Sequence, residues 1–445
     1  MVSPSPGTTE LLNWTGDRSW APRTLAEPAG RAELVDALAR ASEWDCPVRV
    51  IGGGHSMNGG PVTDGVAISL RRMNSLLDVD RANGTVRVEA GIELDELNEL
   101  LWREGLALRN QGDIGDQSIA GAIATGTHGT GSRLRGIAAS VRALSLTLAD
   151  GSQVEIDEED SQTLCAAQVN LGALGVVTEV TLEVVPAFTL AGFDSPVPLD
   201  RLLGELDHLL AENDHFQFYK FPYSGTAVTR IANRVDGPPR PPGRLRGGVE
   251  EMFHHSFGPI CRLGRSFPGA IPWINKAVAR AAGTPRRIER SYRVLNRPQP
   301  VLFTEMEYAL PREHAAAAIQ AIDEVTLLHR FAAPFPLQVR FAAADEALLS
   351  PAGGRDTCFI AVHMFAGMPW EPYFHAAEEV LVGFDGRPHW GKRHSRTAAE
   401  LSRSYPGWED FLAVRERLDP DGRFVNDYVR RVLGSGGRVA VSDDA

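Results

Sequence analysis

Long apolar runs are missing from this chain of 445 residues: no stretch approaches the ~18 uninterrupted apolar residues that a membrane helix requires. Basic charge is also short. The 45 Lys and Arg face 57 Asp and Glu, a formal charge of −12, which leaves no basic face for a nucleic acid. Cys46, Cys165, Cys261 and Cys358 are too scattered for a disulfide framework, and no CxxC pair suggests zinc or a redox dithiol. Buried reduced thiols in a reducing cytoplasm are the expectation. No metal is expected either, because His254, His255, His389 and His394 come without HExxH or a cysteine companion. Met1 to Glu10 shows no charged segment leading into an apolar core, so no secretion signal is read. There is no GxGxxG between a strand and a helix, which removes the Rossmann fold.

The length predicts two or three domains. Leu34, Val35, Leu38 and Ala39 are spaced for a helix over 30–45, stopped by Pro47, and Val48 to Ile51 reads as a strand running into glycines. Asn83-Gly84 and Asp150-Gly151 sit between alternating apolar runs and predict hairpins. Leu94, Leu97 and Leu101 predict a helix over 93–104 that ends at Gly105. The first 190 residues are therefore strand-rich α+β. Beyond them we expect a helix at 202–212, an irregular loop at Asp236–Arg244, strands at 301–310 and 335–342, and a helix at 312–329. Frayed tails are expected at 1–14 and 434–445.

Two glycine-rich segments carry the chemistry. In Val50-Ile51-Gly52-Gly53-Gly54-His55-Ser56, three bare glycines leave backbone N–H groups open to a pyrophosphate, with a histidine at the edge. A glycine turn with an incidental histidine fits those seven residues equally well. The second segment, Ser118 to Gly131, contains Gly121, Ala122, Thr125, Thr127, His128 and Gly129, small residues and hydroxyls that let backbone approach a flat ligand. Close packing of a small-residue helix is the competing reading.

In this order, and followed by Gly172 to Thr178, the segments resemble the FAD domain of the vanillyl-alcohol oxidase superfamily over roughly residues 20–187. The resemblance implies an α+β, two-domain fold of the PCMH type. It places the pyrophosphate on the first loop, the ribityl and isoalloxazine on the second, and the adenine side near Val177. It also implies a covalent bond from His55 to FAD. Farther on, Pro388-His389-Trp390-Gly391-Lys392 and Leu418 to Tyr428 resemble signatures of the aldonolactone and alditol oxidases.

The strand Phe335 to Phe341 alternates, which puts Gln338 and Arg340 on one face. In the family this strand faces the flavin and carries Glu-x-Arg, so Gln338 is a departure. An amide can orient a hydroxyl but has no basic form near neutral pH. His363 titrates in a suitable range for a base, although a packed core histidine fits equally well. Arg340 and Lys392 are expected to stabilise the negative charge that hydride transfer to N5 builds on the flavin. Gly112 aligns with a position whose size gates oxygen access in relatives.

The expected organisation is an FAD domain at 15–187, a substrate cap at 188–405 and a C-terminal segment, 406–433, returning to the FAD domain. The implied reaction is oxidation of a CH–OH group in a sugar-acid lactone, a polyol or another alcohol, with O2 or another acceptor reoxidising the cofactor. The rival from another class is a flavin-binding protein without catalysis.

Overall fold

The computed structural model describes residues 10–240, 257–296 and 301–434. Pro241, Pro242, His254 and His255 lie outside the described residues. Three sheets organise the chain. Thr24–Ala26, Val66–Ser69 and Val48–Ile51 form a small parallel sheet, with Val66–Ser69 in the middle. It packs on the helix Arg31–Glu43 through Leu34, Ala37, Leu38 and Ala41. The hairpins expected at Asn83-Gly84 and Asp150-Gly151 are both present, and Val176–Glu183 joins them into a five-stranded antiparallel sheet. Gly105, at φ +70°, follows the helix Leu94–Arg103 in the left-handed conformation that favours glycine.

The third sheet has eight antiparallel strands. In spatial order these are Thr284–Arg290, Thr189–Pro198, Thr226–Val235, His215–Lys220, Leu337–Ala342, Thr357–Phe365, Phe303–Pro311 and Arg387–Pro388. One face is apolar: Phe216, Phe218, Val339, Phe341, Ile360 and Val362 pack beneath the helices Ala315–His329 and Glu371–Gly383. Its other face is unusually polar, and that is where chemistry gathers.

Two large cores follow this division. Residues between 26 and 184 share one with Trp390 and with Trp408, Phe411, Phe424 and Val429 of the C-terminal segment. Buried Arg49 ties the segments together, donating to the carbonyls of Gly60, Leu171, Gly172 and Phe424. Asn426 donates to the carbonyls of Gly59, Gly60 and Val62, so the C-terminal signature braces the far side of the first glycine loop.

Two expectations need correcting. The N-terminal tail is ordered from Leu11: Leu11–Leu12 pairs with Ser19–Trp20, and the Trp14 ring lies 5.7 Å from that of His55. The helix at 202–212 is two shorter ones, Leu199–Gly204 and Leu206–Glu212, because Gly204 and Glu205 interrupt it.

Candidate active site

The first glycine loop is a cradle that side chains would fill. A Cβ on Gly52 would overlap the Ser118 hydroxyl, and one on Gly53 would overlap the Asp116 carbonyl. Gly54 sits at φ +78°. Val50 to Ser56 line a cavity together with Ser118, Gly121, Thr125, Val177, Trp390 and Tyr428. His55 Nε2 lies 2.9 Å from Asp116 Oδ1, while its buried Nδ1 has no hydrogen-bond partner among the described residues. The hydrogen bond from His55 holds the Asp116 carboxyl below the ordinary carboxylate range. An orphaned nitrogen in a cleft of bare backbone fits a dinucleotide whose ring system approaches His55.

Ser118 caps the helix Ile119–Ala124, accepting from the Gly121 N–H, and Thr125 donates to the Gly121 carbonyl at 2.9 Å. This turns Ala120, Gly121, Ala124 and Thr125 toward the cavity. Ala122 points the other way, into the core, and does not line either cavity. Gly129 lines neither as well: a Cβ there would overlap the Gln111 carbonyl, so its role is close packing. Both departures follow from the helical period and from a chain crossing that the sequence does not reveal.

A second cavity, of about 560 Å³, adjoins the first at Gln117 and opens over the polar face of the eight-stranded sheet. Its walls bring together Gly112, Thr127, His128, Gln338, Arg340, His363, His389 and Lys392. Strand register explains the gathering. Gln338 pairs with Ala361, which pairs with Glu307, so only a methyl group separates the two polar side chains in that row. The next pairs along are Arg340 with Phe359 and His363 with Glu305. The small Ala361 lets Arg340 reach diagonally to Glu307, at 2.8 Å.

Two carboxylates absent from the sequence reading therefore organise the site. Glu305 holds Lys392 and lies 3.6 Å from His363 Nε2. Glu307 takes Arg340 and sits 3.4 Å from His128 Nε2. Burial alone would raise the Glu307 carboxyl, but Arg340 and His128 hold it well below the usual range. Burial opposes the charge on Arg340 too, yet Glu307, Asp113 and Glu305 leave its guanidinium more firmly protonated than usual. Burial keeps His363 below an ordinary histidine and pushes His389 down to about 3, so both are neutral at pH 7. His128, Glu307 and His389 lie close enough to approach one cation, but the Arg340 guanidinium already occupies the Glu307 carboxylate. The signal for these acids was present: Phe303-Thr304-Glu305-Met306-Glu307 puts two acids on one face of an otherwise apolar strand.

Gln338 is buried and donates to Asp113 Oδ2 at 2.7 Å and to Gln217 Oε1 at 3.0 Å. Asp113 and Asp116, on the loop between the two glycine segments, were also missed, because a loop acid carries no periodicity to mark it.

A glycine cradle beside a half-open cavity on a mixed α+β frame fits a flavoprotein of the vanillyl-alcohol oxidase fold. Residues 22–157 match an FAD binding domain, and residues 180–432 match the D-arabinono-1,4-lactone oxidase family. The chain belongs to that family and is an FAD-dependent oxidoreductase. It is 44% identical to an L-gulono-1,4-lactone dehydrogenase of Mycobacterium tuberculosis, covering 95% of this chain and 98% of that one. It is 32% identical to the L-gulonolactone oxidase of Mus musculus, over 95% and 98% of the two chains. An alditol oxidase of Streptomyces is also 32% identical, over 96% and 99%. Among solved structures, a solvent-stable cholesterol oxidase superposes with a TM-score of 0.80 over 96% of this chain and 97% of that one; at 17% identity this speaks to the fold.

Proposed function

We propose that the protein oxidises a CH–OH group of a sugar-acid lactone of the L-gulono- or D-arabinono-1,4-lactone class. The first product would be a 2-keto lactone, which enolises to an ascorbate-type ene-diol. One observation carries the reading: Gln338, Arg340, His363 and Lys392 share a single cavity wall that adjoins the glycine cradle. The names of the most similar relatives support the lactone class.

FAD, when bound, supplies an acceptor for the hydride of the carbinol carbon. The residues of this chain do the rest. Backbone of Gly52 to Gly54 would hold the phosphates, Ser118 and Thr125 the middle of the cofactor, and Val177 the adenine side. His55, through its unpartnered nitrogen, would carry the covalent bond. Arg340 and Lys392 are fixed cations that favour negative charge arriving on the cofactor. Each comes with its own carboxylate, which fixes its position and tempers its charge. Gln338 orients a substrate hydroxyl, and His363 stands in the same wall. The cofactor unit spans 15–187, the substrate cap 188–405, and 406–433 returns to the cofactor unit. Oxygen is the acceptor we favour, on the ground of Gly112. The four cysteines are free thiols, which suits the cytoplasm, and no helix among the described residues is long and apolar enough to cross a membrane.

Gln338 supports one second reading, the oxidation of an alditol or a more elaborate alcohol, and the alditol oxidase likeness agrees with it. Anaerobic mixing with a panel of lactones and alditols, while flavin absorbance is followed, separates the readings by which class bleaches the cofactor. Bleaching by none would leave a flavin-binding protein without this catalysis.

A further inference from the structure

Four carboxylates enter the wall of the second cavity, and they are not equivalent. Glu305, Glu307 and Asp194 are each clamped by a cation: Lys392, Arg340 and Arg230 respectively. Asp113 hydrogen-bonds instead to a neutral group, the Gln338 amide, at 2.7 Å, while the Arg340 and Arg230 guanidinium groups face its charge without forming an ion pair with it. It stands on the loop residue after Gly112, half-buried at the cavity wall, across from the strand that carries Arg340. A carboxylate gripped by a guanidinium has its lone pairs and charge committed to that partner. One that accepts a single amide hydrogen keeps lone pairs for an incoming hydroxyl.

We infer that Asp113 is the general base of the reaction, and that Gln338 is the positioning residue that aims it. This rests on the proposed alcohol oxidation. The hydroxyl O–H of the substrate breaks and its proton passes to the Asp113 carboxylate. With FAD bound to accept it, the carbon would give up its hydride and the C–O bond would become a carbonyl, and the Asp113 carboxylic acid then returns its proton to water. The carboxylate thus comes from the loop wall, and the amide from the strand wall. His363 is then a packed histidine: Nδ1 donates to the Pro336 carbonyl at 3.1 Å, and its ring lies edge-on to Phe303.

Gln338→Glu alone would press a second carboxylate against Asp113, so one of the two would hold a proton and activity should fall. Exchanging both groups conserves the pair.

The test compares wild type, Asp113→Asn, Gln338→Glu, the double variant Asp113→Asn/Gln338→Glu, and His363→Gln as holoenzymes. Flavin reduction by the best lactone is followed anaerobically as a function of pH. Affinity for a deoxy-lactone without the reacting hydroxyl is measured by calorimetry. Asp113→Asn should slow reduction about 100- to 10,000-fold and abolish the pH limb of the base, with deoxy-lactone affinity unchanged. The double variant should recover at least tenfold over Asp113→Asn, and His363→Gln should keep the pH limb. Near-normal reduction in Asp113→Asn, loss of deoxy-lactone binding in that variant, or no recovery in the double variant would each overturn the assignment. Failure of wild type to be reduced by any lactone or polyol would instead overturn the proposed function.

Discussion

Removing Arg340 should unfold the cap more readily and also cripple the site, and the two effects can be separated. Glu307 is fully buried and Arg340 nearly so, joined at 2.8 Å on neighbouring but non-adjacent strands. Arg340→Leu leaves the Glu307 carboxylate buried with only His128 and His389 near it, and Glu307→Leu takes from the buried guanidinium the carboxylate it is paired with, leaving it Asp113 and Glu305 farther off. Breaking a buried pair from one side typically costs about 3–5 kcal/mol. For a unit of ~150–250 residues, about 2–4 °C of Tm is lost per kcal/mol, so each single variant should melt about 6–20 °C lower. Arg340→Leu/Glu307→Leu removes both charges and should regain most of that loss, because apolar replacements of a buried pair are often neutral. Activity should not follow. Loss of one preorganised charge donor at a reacting centre typically costs about 100- to 1000-fold in turnover, and if Arg340 has that proposed role the stable double variant should stay that slow. Differential scanning fluorimetry and anaerobic flavin reduction on the four proteins decide the matter. A double variant that melts as low as the sum of the singles would refute the coupling. One that regains normal reduction would remove Arg340 from the chemistry.

The remaining predictions concern acid, the cofactor bond and the acceptor. Burial pushes His215 from 6.5 down to about 4, so between those values the unfolded chain binds a proton that the folded one refuses. Stability from this group is therefore complete above about pH 6.5 and falls as pH drops, by up to about 1.4 kcal/mol per unit; His215→Gln should flatten the fall of Tm with acid, and an unchanged slope would contradict it. His55→Ala should release its flavin on acid denaturation, whereas wild-type protein should stay yellow after separation from free ligand; colourless wild-type protein would deny the covalent bond. At Gly112 a Cβ would sit 3.1 Å from Thr127 Cγ2 and 3.2 Å from the His128 carbonyl, tight but tolerable. Gly112→Ala should slow reoxidation in aerated buffer without slowing reduction, as stopped-flow mixing reads out; equal reoxidation rates would take Gly112 out of oxygen access.

Much of the cofactor half was legible, because its signals are local. Asn83-Gly84 and Asp150-Gly151 set hairpins by turn chemistry, and Gly52 to Gly54 announce backbone that must be approached closely. The substrate half was legible only along single strands. Gln338 and Arg340 could be placed on one face, but their partners come from two other strands and from the loops at Asp113 and His128, through register that no single segment encodes. That is why Asp113 went unread and why Gln338 looked like a lost carboxylate when one lies 2.7 Å away on the opposite wall; Glu305 and Glu307 stood out on their own strand, but what they pair with did not. The tail error has a similar origin. Leu11 and Trp14 are held by Trp20, Phe303 and His55, contacts invisible in a short polar stretch.

If this cavity oxidises a sugar-acid lactone, the flavin itself reports the reaction. Purified holoenzyme is titrated anaerobically with L-gulono- and D-arabinono-1,4-lactone while the yellow flavin band is watched. The account predicts that at least one lactone bleaches the band stoichiometrically, with a keto-lactone recovered. A band untouched by either lactone, in protein whose flavin dithionite still reduces, would contradict it.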